Sequence, residues 1–114
     1  KGRYSDRGVD NSEVEYPTAV HPVVRTHPET KKKSIFVNRT FTKKIEGLSE
    51  FESKKTLDFL FEHCESLEFQ IRSKWNLYDM VFWDNRCAMH RAIWDYWPME
   101  RKGRRVTITG DRPH

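Results

Sequence analysis

Apolar and polar residues change their spacing several times along this chain, and each change predicts a structural boundary. His21-Pro22-Val23-Val24-Arg25-Thr26-His27-Pro28 is a short Val-centred run held between prolines, which suits a strand at a sheet edge because proline donates no ladder hydrogen bond. Thr30 to Lys33 reads as a turn and Ser34-Ile35-Phe36-Val37 as the returning strand, so the two runs predict a hairpin. Ser49 precedes Glu52 by three positions, the spacing at which each side chain satisfies the other residue's free backbone N–H, and a helix is expected to begin there. Leu57, Leu60, Phe61 and Cys64 then fall at i, i+3, i+4 and i+7, one buried stripe, with Lys54, Lys55, Asp58, Glu62 and Glu65 facing outward.

The period changes to two at Phe69, Ile71, Ser73 and Trp75, which alternate with Gln70, Arg72 and Lys74 and predict a strand. Asn76 to Asp79 turns the chain, Met80-Val81-Phe82-Trp83 begins another strand, and Val106-Thr107-Ile108-Thr109 is a β-branched strand ended by Gly110-Asp111. Residues 1–20 lack apolar periodicity and read as an irregular lead-in. The expected fold is mainly β with one or two helices, part of a sandwich or jelly roll, since a complete barrel needs more strands than these.

Composition narrows the classes. Hydrophobic residues make up 36% of the 114 positions and charged residues 33%, and no apolar run approaches the roughly 20 residues that cross a bilayer, so no membrane partner is expected. No basic stretch followed by an apolar segment opens the chain, which makes a cytoplasmic location the expectation. Cys64 and Cys87 have no paired spacing that suggests zinc or a disulfide framework. The net charge of +4 raises a nucleic-acid module as an alternative, but the basic groups are interspersed with 17 acidic residues and no recognition motif accompanies them.

The chemistry concentrates near the end of the chain. Trp83-Asp84-Asn85-Arg86-Cys87-Ala88-Met89-His90 runs into Asp95-Tyr96, Pro98, Arg101 and Arg105-Val106-Thr107-Ile108-Thr109-Gly110-Asp111. A lone histidine is ordinarily a packed one, and a basic loop around Lys102, Gly103 and Arg104 is ordinarily solvated. The order of these residues, however, resembles the C-terminal signature of the taurine dioxygenase family, and His21 to Thr30 and Phe36-Val37-Asn38 are similar to that family as well, so that the resemblance covers roughly residues 20–112.

The resemblance implies that residues 21–114 are the C-terminal part of a double-stranded β-helix, a jelly roll, in an Fe(II)- and 2-oxoglutarate-dependent dioxygenase. Such enzymes use O2 to hydroxylate a substrate and convert 2-oxoglutarate to succinate. Iron is held by two histidines and one carboxylate, a set that suits Fe(II) and leaves positions open for 2-oxoglutarate and O2. By resemblance His90 is the second histidine and Arg101 binds the distal carboxylate of 2-oxoglutarate. Arg105 would meet a small anionic substrate such as a sulfonate, and Phe41 would line the substrate pocket, where ordinary core packing is the alternative. A guanidinium suits the two anions because its planar fork matches a carboxylate bidentately.

Trp83, Trp94, Tyr96 and Trp97 form an aromatic cluster around His90 that would exclude water, or serve as core. Asp84 and Asn85 are expected to orient the strand and turn, with a contact behind His90 as the alternative. The family's first histidine and its carboxylate, a His-x-Asp or His-x-Glu pair, are expected upstream. His63-Cys64-Glu65 spells that pattern but falls on the helix and is read as a decoy. A non-catalytic jelly-roll remnant therefore stands beside the enzyme reading, and oligomeric state, including a homo-oligomer, is left open.

Overall fold

An extended segment becomes a strand only when a neighbour takes up its backbone N–H and C=O groups. The computed structural model describes residues 17–93 and 95–114, and among them two segments meet this condition, β1 (Val24–Thr26) and β2 (Lys33–Ile35). They pair antiparallel with Val24 opposite Ile35, Arg25 opposite Ser34 and Thr26 opposite Lys33. The Phe36 N–H continues the ladder by donating to the Val23 carbonyl at 2.7 Å. In the connection, the His27 N–H donates to the Lys32 carbonyl at 2.8 Å and the Lys31 N–H to the His27 carbonyl at 2.9 Å. This reversal places Lys31 at φ +60°, a left-handed conformation uncommon outside glycine.

The helix forms where the spacing predicts it, as α1 (Glu50–Cys64) with Ser49 as N-cap. The capping box is complete: the Glu52 N–H donates to Ser49 Oγ at 3.3 Å and the Ser49 N–H to Glu52 Oε2 at 3.0 Å. From the predicted stripe Leu57 and Phe61 are buried, while Leu60 and Cys64 are half-buried. Leu57, Phe61 and Val37, just after β2, make the small core, with Val23, Ile35, Ile45 and Leu60 packed around it. Ser53 extends the inner face one turn toward the N-terminus, where its Oγ accepts the Ile45 N–H at 2.8 Å and ties the preceding loop to the helix.

The strands expected at residues 69–75, 80–83 and 106–109 are not formed among the described residues. Phe69 closes a single 3-10 turn, Leu67–Phe69, and the other positions follow an irregular path. Ile71 is 97% exposed, and Phe82, Val106 and Ile108 also face solvent. Alternation of period two decides which side chains would share a face; it supplies no neighbouring backbone, and without one the ladder does not close. The architecture is thus a two-stranded sheet, one helix and long irregular segments. Of the expected lead-in, residues 1–16 lie outside the described residues and 17–20 are exposed without regular structure.

The side chains buried along β1 and just after it are polar. Val24 is half exposed, whereas Arg25 and His27, two positions apart and hence on one face of extended backbone, are the buried side chains. Arg25 Nη2 donates to both carboxylate oxygens of Asp111, at 2.8 and 2.9 Å, and its guanidinium lies over the Phe36 ring at 5.2 Å. The Thr26 N–H donates to the His114 carbonyl at 3.0 Å. The final residues of the chain therefore run along β1.

Replacing Ser49 by Ala removes one of the two reciprocal bonds at the start of α1 and is expected to lower stability by about 1 kcal/mol, read from urea unfolding. The Arg25 hydrogen bond holds the Asp111 carboxyl below its ordinary range. Since that depression favours the ionised folded form, its contribution is present above the ordinary carboxylate range near pH 4 and is lost as pH falls further. Asp111→Asn should accordingly lower stability at pH 7 and make the loss of stability as pH falls below the ordinary carboxylate range less steep than in the parent protein.

Candidate functional site

The segment from Trp83 to His90 is organised by one carboxylate. Asp84 Oδ1 accepts the Arg86 backbone N–H at 2.8 Å, and the Asp84 carbonyl accepts the N–H groups of Cys87 at 3.2 Å and Ala88 at 2.9 Å. A tight turn results, and the rings on either side of it meet: Trp83 and His90 stand with centroids 4.5 Å apart at an interplanar angle of 48°. Trp83 Nε1 donates to Asn85 Oδ1 at 2.9 Å, which fixes the indole within the same turn.

The side chain of Asp84 is itself clamped. Arg86 Nε donates to Oδ1 at 2.9 Å and Nη2 to Oδ2 at 2.8 Å, a fork-on-carboxylate pair. On its other side lies His27 Nε2, 3.1 Å from Asp84 Oδ2. Because His27 Nδ1 faces the N–H groups of Glu29 and Thr30, each at 3.2 Å, Nδ1 is the acceptor and Nε2 carries the hydrogen donated to Asp84. The Arg86 bonds, reinforced by His27, hold the Asp84 carboxyl far below the ordinary range, and Asp84 in turn raises Arg86. Asp84 remains a carboxylate throughout the physiological range.

Asp84, His27 and Cys87 offer three donor atoms within 4.8 Å of one another. A cation there would have to displace Arg86 and the Nε2 hydrogen of His27, so these residues form a closed ion-pair network rather than an open metal centre. His90 differs. It is exposed, and among the described residues its ring meets Trp83 while neither ring nitrogen has a hydrogen-bond partner, so one nitrogen is available to a metal and the other to an orienting acceptor. No second histidine or carboxylate joins His90 in a metal-binding cluster among the described residues, so it fits an iron site as one donor of a larger set.

Arg101 is exposed, and its guanidinium lies over Trp75 at 5.4 Å and Tyr96 at 5.8 Å, two π faces that steady it while leaving donors for an anion. Arg105 is also exposed. Among the described residues no hydrogen bond, ion pair or ring contact joins His90, Arg101 and Arg105 to one another. Phe41 is 73% exposed, which removes ordinary core packing in this structure. It sits in a turn where the Thr42 N–H donates to the Asn38 carbonyl at 2.8 Å, and Asn38 Nδ2 reaches Met89 Sδ at 3.6 Å. The Phe41 turn is thereby brought beside the residue that precedes His90.

Trp94 lies outside the described residues, Trp97 is exposed, and Tyr96 stands with Arg101 rather than with His90. Of the aromatic cluster expected around His90, the described contact is therefore Trp83 alone. His63 packs against Phe69 with centroids 5.1 Å apart, and Glu65 pairs with Arg39 at 3.0 Å, so neither side chain of the His-x-Glu pattern is directed toward His90. Sequence reasoning missed Arg25 and His27 as organising groups. The available signal was two polar residues, Arg25 and His27, at i and i+2 in an extended run.

The family model described as taurine catabolism dioxygenase TauD, TfdA family matches residues 2–107. The chain is 43% identical over 98 residues to an alpha-ketoglutarate-dependent sulfonate dioxygenase of Saccharomyces cerevisiae, covering 84% of this chain and 24% of that protein. A putative alpha-ketoglutarate-dependent sulfonate dioxygenase of Schizosaccharomyces pombe is 36% identical over 114 residues, 99% of this chain and 29% of that relative. An alpha-ketoglutarate-dependent sulfate ester dioxygenase of Pseudomonas putida is 38% identical over 93 residues, 82% of this chain and 31% of the relative. The chain thus spans between a quarter and a third of the length of these relatives. With nearly all of its length matched by the family model, the chain belongs to the taurine catabolism dioxygenase TauD, TfdA family.

Proposed function

We propose that the chain is the C-terminal part of the jelly-roll domain of an Fe(II)- and 2-oxoglutarate-dependent dioxygenase that hydroxylates a small sulfonate or sulfate ester. The observation that carries this reading is the solvent-facing order His90, Arg101, Arg105 in a segment matched by the family model. The printed activities of the relatives add the substrate class. His90 is assigned as one iron ligand, the other histidine and the carboxylate coming from elsewhere in the polypeptide.

Iron with 2-oxoglutarate and O2 supplies the oxidation of a substrate C–H bond to C–OH, with 2-oxoglutarate leaving as succinate and carbon dioxide. The residues of this chain do the placing. Arg101, steadied between Trp75 and Tyr96, holds the distal carboxylate of 2-oxoglutarate in a bidentate fork. Arg105 takes the sulfonate or sulfate, so that the adjacent carbon is presented for hydroxylation. The product carries hydroxyl and sulfur or ester oxygen on one carbon and breaks down to an aldehyde, with loss of sulfite or sulfate. Trp83 backs the His90 ring, and Phe41, exposed on the turn that reaches Met89, would contribute an apolar wall of the substrate pocket. The exposed apolar side chains of residues 69–82 and 106–108 are those that the strands of a complete jelly roll would cover.

In the protein supplied with Fe(II), 2-oxoglutarate, O2 and taurine or a short alkyl sulfate, succinate and sulfite or sulfate should form together. His90→Ala should abolish this turnover. A charged hydrogen bond contributes roughly 1.5–3 kcal/mol, so Arg101→Ala should raise the KM for 2-oxoglutarate roughly ten- to hundredfold, and Arg105→Ala should do the same for the sulfur anion. Unchanged turnover in the His90 variant would overturn the ligand assignment, and interchanged KM effects would exchange the two arginines.

A further inference from the structure

Five hydrogen bonds reach the organising carboxylate of the Trp83–His90 turn, and among the described residues only the one from His27 comes from a distant part of the chain. Arg86 is local to the turn, whereas His27 stands 57 positions away, at the end of β1. His27 is buried, and its ring orientation is set from behind by the backbone N–H groups of Glu29 and Thr30 on Nδ1. The strand it follows is itself held fast. Arg25, on the same face, grips Asp111 with one nitrogen on both oxygens, and the Thr26 N–H donates to the His114 carbonyl at 3.0 Å. Asp84 is thus pinned to an anchored base, and the turn it organises ends at Ala88, two residues before His90.

We infer that His27 is a positioning residue for His90. It acts through the bond from Nε2–H to Asp84, and so sets where the His90 imidazole is presented. Among the described residues that bond is the shortest of the ties that hold the Trp83–His90 segment to the rest of the chain, beside Arg86–Glu29 at 3.5 Å and Asn38–Met89 at 3.6 Å. The inference rests on the assignment of His90 as a metal ligand proposed above. It assigns to His27 no contact with substrate, metal or cosubstrate.

The two ring nitrogens of His27 have separable duties, and amide side chains reproduce them one at a time. In His27→Asn the amide oxygen can take the place of Nδ1 and keep the Glu29 and Thr30 N–H groups satisfied, but the side chain is too short to reach Asp84. In His27→Gln the longer side chain places an N–H near the position of Nε2 and restores the donation to Asp84. A residue needed only for the local turn of residues 27–32 would tolerate Asn better than Gln. A residue that positions His90 through Asp84 would show the reverse order.

The test is Co(II) binding to the full protein in the absence of O2, followed by the visible absorption of the bound ion, with thermal unfolding measured on the same samples. Outer contacts that orient metal ligands typically change metal affinity by about 10–100-fold, so His27→Asn should weaken Co(II) binding at least tenfold while melting cooperatively. His27→Gln should bind within about threefold of the parent protein. If His90→Ala leaves Co(II) binding unchanged, the ligand assignment itself fails. If His90→Ala abolishes binding but His27→Asn binds like the parent, or better than His27→Gln, the positioning role alone is overturned. Should His27→Asn fail to fold, Asp84→Asn, whose amide oxygen can still accept the Arg86 N–H, takes its place with the same expected loss. Loss of fold in both variants would assign the contact to folding and overturn the inference.

Discussion

Burying a guanidinium is costly unless a carboxylate comes with it, and the chain buries one in β1 at Arg25 and a hydrogen-bonding imidazole just after the strand at His27. Much of the structure outside the helix follows from satisfying that pair. Asp111 is drawn in from 86 positions away and Asp84 from 57, and each brings with it the segment on which candidate site residues lie. Asp84 precedes His90, and Asp111 follows Arg101 and Arg105. β1 and the residue that follows it thereby become the common base for two segments that make no regular ladder with them or with one another.

This is a different kind of organisation from the one beneath it. The small core of Val37, Leu57 and Phe61 holds α1 against the end of the hairpin by apolar contact, which is strong but not directional. The contacts that reach toward His90 are hydrogen bonds and ion pairs, whose short distances and angular requirements fix orientation as well as proximity. Arg86, Asp84 and His27 form a closed chain of donors and acceptors, with Glu29 and Thr30 setting the tautomer from behind. Side chains directed outward from that chain, His90 and Arg101 among them, keep their polar atoms available. Aromatic faces rather than opposite charges support them, Trp83 beside His90 and Trp75 and Tyr96 beside Arg101.

Local signals were legible wherever one segment carries its own partner. The capping box of Ser49 and Glu52, the Leu57–Phe61 stripe and the β1–β2 hairpin all arise from residues close in sequence, so spacing alone predicts them. The alternation at Phe69 to Trp75 and the β-branched run at Val106 to Thr109 were equally clear as patterns, yet neither is a strand here. A strand is completed by a neighbouring backbone that its own sequence does not contain. The same limit applies at β1 and the residue after it, where Arg25 and His27 take the buried positions. Nothing within eight residues announces that their carboxylates lie 86 and 57 positions away.

The sequence by itself determined the family resemblance, the order of His90, Arg101 and Arg105, and the helix, because each depends on residue type and short-range spacing. Only the tertiary structure decided that Asp84 belongs to His27 and Arg86, that Asp111 belongs to Arg25, and that the Phe41 turn reaches Met89. The pairings of Arg25 and His27 depend on which buried polar group is left in need of a partner once the hairpin has formed. That need exists only in three dimensions, where burial removes water as the alternative.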